Sequence, residues 1–164
     1  RSDLIHSLAD SAASYSGYNL CFGDTSHLTW ASNRGPKGFE YRYLESGIYG
    51  LGNASLNTPW PKLRLAKRRL ARQLQLPNPT CSDLSWVTAD TNTHDDLSYI
   101  GDTAMETSWL KALSAQWIKT PNYGTRAQTI ITLKNNGQME CYERTVRPDD
   151  QTTSEQSFHF KISR

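Results

Sequence analysis

Two short segments carry the residues best suited to chemistry, Gly50-Leu-Gly-Asn-Ala54 and Tyr123-Gly-Thr-Arg126. Each joins an apolar, strand-like run to Gly, Asn, Thr or Arg, and such junctions place polar groups at the rim of a sheet, where ligands bind. The carboxamide of Asn53 and the guanidinium of Arg126 are both fixed donors without competing basicity. Thr125 and Thr129 add hydroxyls to this ligand-binding set. The plainer alternative is structural, with Asn53 capping a turn and Arg126 pairing with a carboxylate to tie its strand down.

A third candidate is cationic. Lys62, Arg64, Lys67, Arg68, Arg69 and Arg72 crowd one segment, and Arg64, Arg68 and Arg72 recur at four-residue spacing as anion-binding candidates for phosphate. No acid interrupts the run, and a solvated helix face is the alternative reading. A nucleic-acid module would show a larger excess than the net charge of +2, or aromatics interleaved for base stacking, so nucleic acid is not the expected partner.

The four histidines, His6, His27, His94 and His159, have no partner ligand at helical spacing, and no Cys-x-x-Cys occurs, so no metal site is expected. Cys21, Cys81 and Cys141 are odd in number and widely spread, which suits a reducing, cytoplasmic compartment better than a disulfide framework. Asn53-Ala54-Ser55 is formally a glycosylation sequon, discounted in such a compartment. Reversible haem contact needs one axial His, Cys, Met or Tyr against an apolar slot, and the residues alone do not choose among the histidines, cysteines, Met105 and the tyrosines.

The 164 residues, 37% apolar and 21% charged, suffice for one globular domain over 1–164. Mean hydropathy is −0.66 and no apolar run approaches membrane-spanning length. No signal peptide is visible in the first residues. The chain opens on Arg1, not Met, so a processed or truncated product is expected.

The elements that must position these residues follow from periodicity. Leu4, Leu8 and Ala12 space a short helix over 3–14. Tyr18–Gly23 and Leu28–Ala31 flank a turn and predict a hairpin; Asn33–Gly38 predicts a loop; Phe39, Tyr41 and Tyr43 share one face of a strand, and Ile48–Leu51 predicts another. Thr58 and Pro59 predict the start of a helix whose stripe is Leu63, Ala66, Leu70 and Leu74, with Arg64, Arg68, Arg69 and Arg72 outward and Lys62 and Lys67 at its boundary. Residues 82–89 and 106–116 read as helices, the second turning Trp109, Leu110 and Leu113 inward, with an Asn-, Asp- and Thr-rich loop between them. Thr129–Leu133 and Gln138–Tyr142 flank Asn135-Asn136-Gly137, a type I′ hairpin signal, and Phe158–Ile162 closes the chain as a strand. Strands, helices, then strands predict an α+β fold with antiparallel sheets.

Taken together, Tyr15-Ser-Gly-Tyr-Asn-Leu20, Gly50-Leu-Gly-Asn-Ala54, Thr58-Pro-Trp-Pro-Lys62, Tyr123-Gly-Thr-Arg126 and Glu143-Arg144 resemble, in order, the C-terminal part of the NRDE-motif family, also called the transport and Golgi organization 2 family. Neither that family's opening Met-Cys nor its Asn-Arg-Asp-Glu motif occurs here. The resemblance implies an incomplete αββα sandwich of the N-terminal-nucleophile hydrolase type, the C-terminal portion of a larger NRDE-type domain. It implies intracellular handling of haem or a small amphipathic ligand, with haem a carried ligand and no cofactor required. In hydrolases of this architecture an N-terminal cysteine attacks an amide, and Asn53 and Arg126 resemble their oxyanion and electrostatic supports; the nucleophile would come from upstream. An incomplete sheet would also offer an edge to the missing segment, to a partner strand, or to a second copy in a homodimer.

Overall fold

The computed structural model of the chain describes residues 2–98, 104–147 and 152–162. In chain order the elements are α1 (Ser2–Ser11), β1 (Asn19–Gly23), β2 (Leu28–Gly35), β3 (Gly38–Leu44), α2 (Pro61–Gln73), α3 (Cys81–Ser85), α4 (Thr107–Leu113), β4 (Ala127–Leu133), β5 (Gln138–Val146) and β6 (Thr153–Lys161). They form two antiparallel three-stranded sheets, β1-β2-β3 and β4-β5-β6, with helices between them in sequence, the α+β class expected from the pattern. Contacts divide the chain into two units, Arg1–Thr58 and Pro59–Arg164.

In the first unit, β1 and β2 pair from Asn19 opposite Ser32 to Gly23 opposite Leu28. The Asp24 carboxylate closes the turn by accepting from the Ser26 and His27 N–H groups. The loop expected over 33–38 is shorter than that, because β2 continues to Gly35 through an irregularity after Ser32 and Gly38, at φ +94°, completes the turn into β3. Phe39, Tyr41 and Tyr43 do share a face, with ring centroids 6.4 and 5.6 Å apart. The unit's buried apolar residues are Trp30 and Ala31, on opposite faces of β2, with Ile5 of α1 and Ala12. Ile5, not Leu4, is therefore the inward residue of the first turn. No strand forms at Ile48–Leu51; a loop closed by Asn57 takes its place, since short polar side chains offer the backbone alternatives to a ladder.

In the second unit, α2 begins at Pro61 with Trp60 at the N-cap, two residues later than Thr58-Pro59 suggests, because the Thr58 hydroxyl instead donates to Ser55 O. Leu63, Ala66 and Leu70 are half-buried, while Leu74 at the end of the stripe is exposed. A capping box opens α3: Thr80 Oγ1 accepts from Asp83 N–H at 3.1 Å and Asp83 Oδ2 accepts from Thr80 N–H at 2.9 Å. These bonds with Thr80 hold the Asp83 carboxyl below its ordinary range. A 3-10 turn over Trp86–Thr88 follows α3. α4 is shorter than expected, and Leu110 is its buried residue. Part of the Asn-, Asp- and Thr-rich loop, 99–103, lies outside the described residues.

The β4–β5 hairpin has a three-residue loop, not the two-residue type I′ turn. Gly137 N–H and Lys134 N–H bond Lys134 O and Gln138 O respectively, Gly137 has φ +83°, and Asn136 has no positive φ. That is a type I turn followed by a glycine bulge. Register then fixes two faces for the sheet. Gln128, Ile130, Tyr142 and Val146 share the face on which α3 packs: Cys81 Sγ lies 3.6 Å from Thr132 Oγ1, and Gln128 Nε2 donates to Ser85 O. The opposite face carries Ile131, Cys141 and Phe158 in one row and Leu133, Met139 and Phe160 in the next.

Candidate functional site

Asn53 belongs to the first unit and is exposed midway along the 50–57 loop. The loop is closed at its base, where Asn57 Oδ1 accepts from Gly50 N–H at 2.9 Å and Asn57 N–H donates to Gly50 O at 2.8 Å. A second brace comes from Asn19, whose Nδ2 donates to Gly52 O and Ala54 O at 3.3 and 3.1 Å. Asn19 Oδ1 in turn accepts from the buried Trp30 indole at 3.0 Å. Core packing thus aims Asn19, and Asn19 fixes the carbonyls on either side of Asn53. The result is a carboxamide presented on a preorganised backbone.

Thr125, Arg126 and Thr129 lie in the second unit. Thr125 is committed to a narrow turn: its Oγ1 accepts from Ile118 N–H and its N–H donates to Ile118 O, both at 2.9 Å. A Cβ on Gly124 would meet Ile118 O at 2.8 Å, so the close backbone approach requires glycine there. Arg126 follows with its carbonyl bonded by Val146 N–H. Its side chain is exposed and enters no ion pair among the described residues. Tyr123, Thr125 and Arg126 line a cleft of about 180 Å³ with Thr120 and Val146. Thr129 does not line it; its hydroxyl donates to Glu143 Oε2 at 3.1 Å.

The cations of α2 separate into two groups. Arg64, Arg68 and Arg72 are exposed. Arg69, expected on the same outer face, turns inward instead: Nη2 pairs with Asp90 Oδ1 at 3.0 Å, Nη1 donates to Trp86 O, and the guanidinium lies 4.9 Å from the Trp86 ring centroid. Asp90 is 6% exposed, so this is a buried acid reaching the basic helix from outside its own segment. Lys62 also turns in, donating to Leu113 O at 2.7 Å over the Trp60 ring, and burial pushes its amine below the ordinary lysine range.

At the far end of the second sheet, sequence reasoning named only His159, as one of four histidines among the open haem ligands. There Lys134, Met139, His159, Phe160 and Lys161 line a cleft of about 440 Å³. On the apolar face, Ile131, Leu133, Phe158 and Phe160 are 63%, 42%, 47% and 51% exposed. Phe158 and Phe160 stack with centroids 6.5 Å apart. The alternation of Phe158 and Phe160 signalled this strand; the joint row appears only once the register of three strands is known.

The chain is thus an α+β protein on two antiparallel sheets, with braced polar loops and an open apolar sheet face. It belongs to the Transport and Golgi organisation 2 family, whose model matches residues 1–148. The Transport and Golgi organization protein 2 homolog of Bos taurus is 29% identical over 157 residues, covering 88% of this chain and 56% of that protein. The homolog of Homo sapiens is 28% identical over 148 residues, covering 83% of this chain and 53% of that protein. The chain spans about half the length of these curated relatives. Among the described residues no helix is long and apolar enough to cross a membrane.

Proposed function

We propose that this chain, as the C-terminal portion of a larger NRDE-type domain, handles an amphipathic ligand in the cytoplasm, with haem as the cargo its residues suit. The observation that carries this reading is the open apolar row Ile131, Leu133, Phe158 and Phe160, with Met139 on the same face between Leu133 and Phe160. A planar apolar ring would lie against the row, and Met139, which the register puts on the same face, would offer iron a ligand. The relatives' name, with its reference to transport, fits a carrier. Cys21, Cys81 and Cys141 are free thiols, in keeping with a reducing compartment. β6, exposed along all 9 residues, is the edge where a missing segment or a second copy would pair.

Titration with haem, followed by the Soret band, tests the reading. Saturable binding is expected, weakened about tenfold or more by Phe158→Ser with Phe160→Ser, which removes two apolar contacts. Met139→Ala should alter the band's position if Met139 ligates iron. No Soret shift on titration defeats the haem assignment.

A second reading is amide hydrolysis by a longer protein with an N-terminal cysteine. It is favoured by the bracing of Asn53 through Asn19 and Trp30, since oxyanion donors must be preorganised. Turnover of an amide by that longer protein should fall 10²–10³-fold on Asn53→Ala, roughly the loss of one oxyanion donor; unchanged turnover rejects the role.

A further inference from the structure

We propose that the outer face of α2, with the turn that ends it, is a contact surface for an anionic lipid bilayer. Arg64, Arg68 and Arg72 are exposed and follow one another at four-residue steps, about 6 Å apart along the axis and within about a quarter of the circumference. No Asp or Glu occurs from Pro59 to Ser82. The neighbouring cations are already engaged, Arg69 with Asp90 and Lys62 with the carbonyls of Leu113 and Ala115. The stripe is therefore a line of guanidinium groups facing water, suited to the phosphates of a surface.

Apolar residues distinguish it from a general anion patch. Leu74 and Leu76, 52% and 48% exposed, sit in the turn that ends the helix, two and four residues beyond Arg72, with Leu74 continuing the apolar stripe rather than the arginine one. Trp86 is 36% exposed and packs on the guanidinium of the inward-turned Arg69, one step round the helix from Arg72. Exposed leucine and tryptophan beside cations is the combination that enters the boundary between headgroups and acyl chains. A nucleic-acid strand would use the arginines but gain nothing from Leu74 and Leu76, and Arg69 already covers a face of Trp86 that a base would need. The contact is peripheral, lies outside the apolar sheet face, and does not depend on haem binding there.

Co-sedimentation of the chain with vesicles tests the proposal, using phosphatidylcholine alone and phosphatidylcholine mixed with phosphatidylserine. Binding is expected with the mixed vesicles and not with the neutral ones, and it should weaken with salt. Each Arg→Gln change should lower partitioning about fivefold, so Arg64→Gln, Arg68→Gln and Arg72→Gln together should lower it on the order of a hundredfold. Leu74→Ser with Leu76→Ser should cost about tenfold or more at unchanged charge. All five side chains are exposed, so circular dichroism and melting should be unaltered. Absence of phosphatidylserine-dependent sedimentation overturns the proposal. So does sedimentation that ignores the leucine changes while a single-stranded oligonucleotide binds with the same arginine dependence, which would assign the stripe to nucleic acid.

Discussion

Arg69→Leu is the sharpest test of how the second unit is held together. Leucine keeps apolar bulk against Trp86 and removes the guanidinium. The Asp90 carboxylate, 6% exposed, would then retain only the Asn92 amide at 3.0 Å on Oδ1; its Oδ2 has no partner among the described residues. Trp86 O loses its 3.2 Å donor as well. Removing one side of a buried pair costs roughly 3–5 kcal/mol, and because Arg69 is itself 21% exposed the lower end applies, about 3 kcal/mol. With a urea dependence of about 2 kcal/mol/M, the midpoint should fall by about 1.5 M. Tryptophan fluorescence reports the transition. The reasoning also fixes the second mutant, since Asp90→Leu on top of Arg69→Leu removes the stranded charge and should restore about 2 kcal/mol. A loss below about 0.5 kcal/mol for Arg69→Leu, or a double variant no more stable than the single one, refutes the assignment of Asp90 as a buried partner.

Asn19→Ala should cost about 2 kcal/mol by stranding the Trp30 indole and releasing two carbonyls, and should accelerate hydrogen exchange across 50–57; unaltered exchange there would show that the brace is idle. Gly137→Ala should destabilise the β4–β5 hairpin by about 1–2 kcal/mol, because φ is +83° and a Cβ would lie 2.7 Å from Ile162 O, and a thermal melt matching the parent contradicts this. Burial lowers the folded-state affinity of Lys62 for its proton. The desolvated charge therefore opposes folding below both of its pKa values, and that opposition is relieved as pH rises from the lowered folded value to the unfolded value near about 10.4. Lys62→Met should accordingly be relatively most stable against the parent at neutral pH and lose that advantage in the alkaline window; a difference independent of pH dismisses the linkage.

What the sequence made legible was local. The α1 periodicity, the turn at 24–26, the Asn-Gly hairpin and the apolar stripe of α2 each act within a few residues, and each element is present, α2 starting two residues later than Thr58-Pro59 suggests. The errors occur where the deciding partner is distant or is a side chain. Ile48–Leu51 has strand composition, but Asn57 captures Gly50 before any neighbouring strand can. Asn135-Asn136-Gly137 reads as a two-residue turn until the pairing of Leu133 with Met139 leaves room for three. Arg69 stands among outward arginines on the helix and is drawn inward by Asp90, 21 positions later, a pull invisible to any window the length of a helix.

The candidate site divides along the same line. Thr125 and Arg126 could be picked out because the turn that holds them is local, yet the structure commits the threonine hydroxyl to Ile118 and leaves the arginine to face solvent. The apolar face could not be picked out, because alternation in β4, β5 and β6 says that each strand has two unlike sides and not which side is covered. α3 decides it. By setting Cys81 against Ile130, Thr132 and Glu140, and by giving the Gln128 amide the carbonyl of Ser85, the helix claims the face with the more polar alternation. On that face the Gln128 Nε2 group donates to Ser85 O and Thr88 Oγ1, which satisfies its buried donors. The cost is that Ile131, Leu133, Phe158 and Phe160 stay open, and an exposed apolar row of this kind is what the ligand reading proposed above rests on.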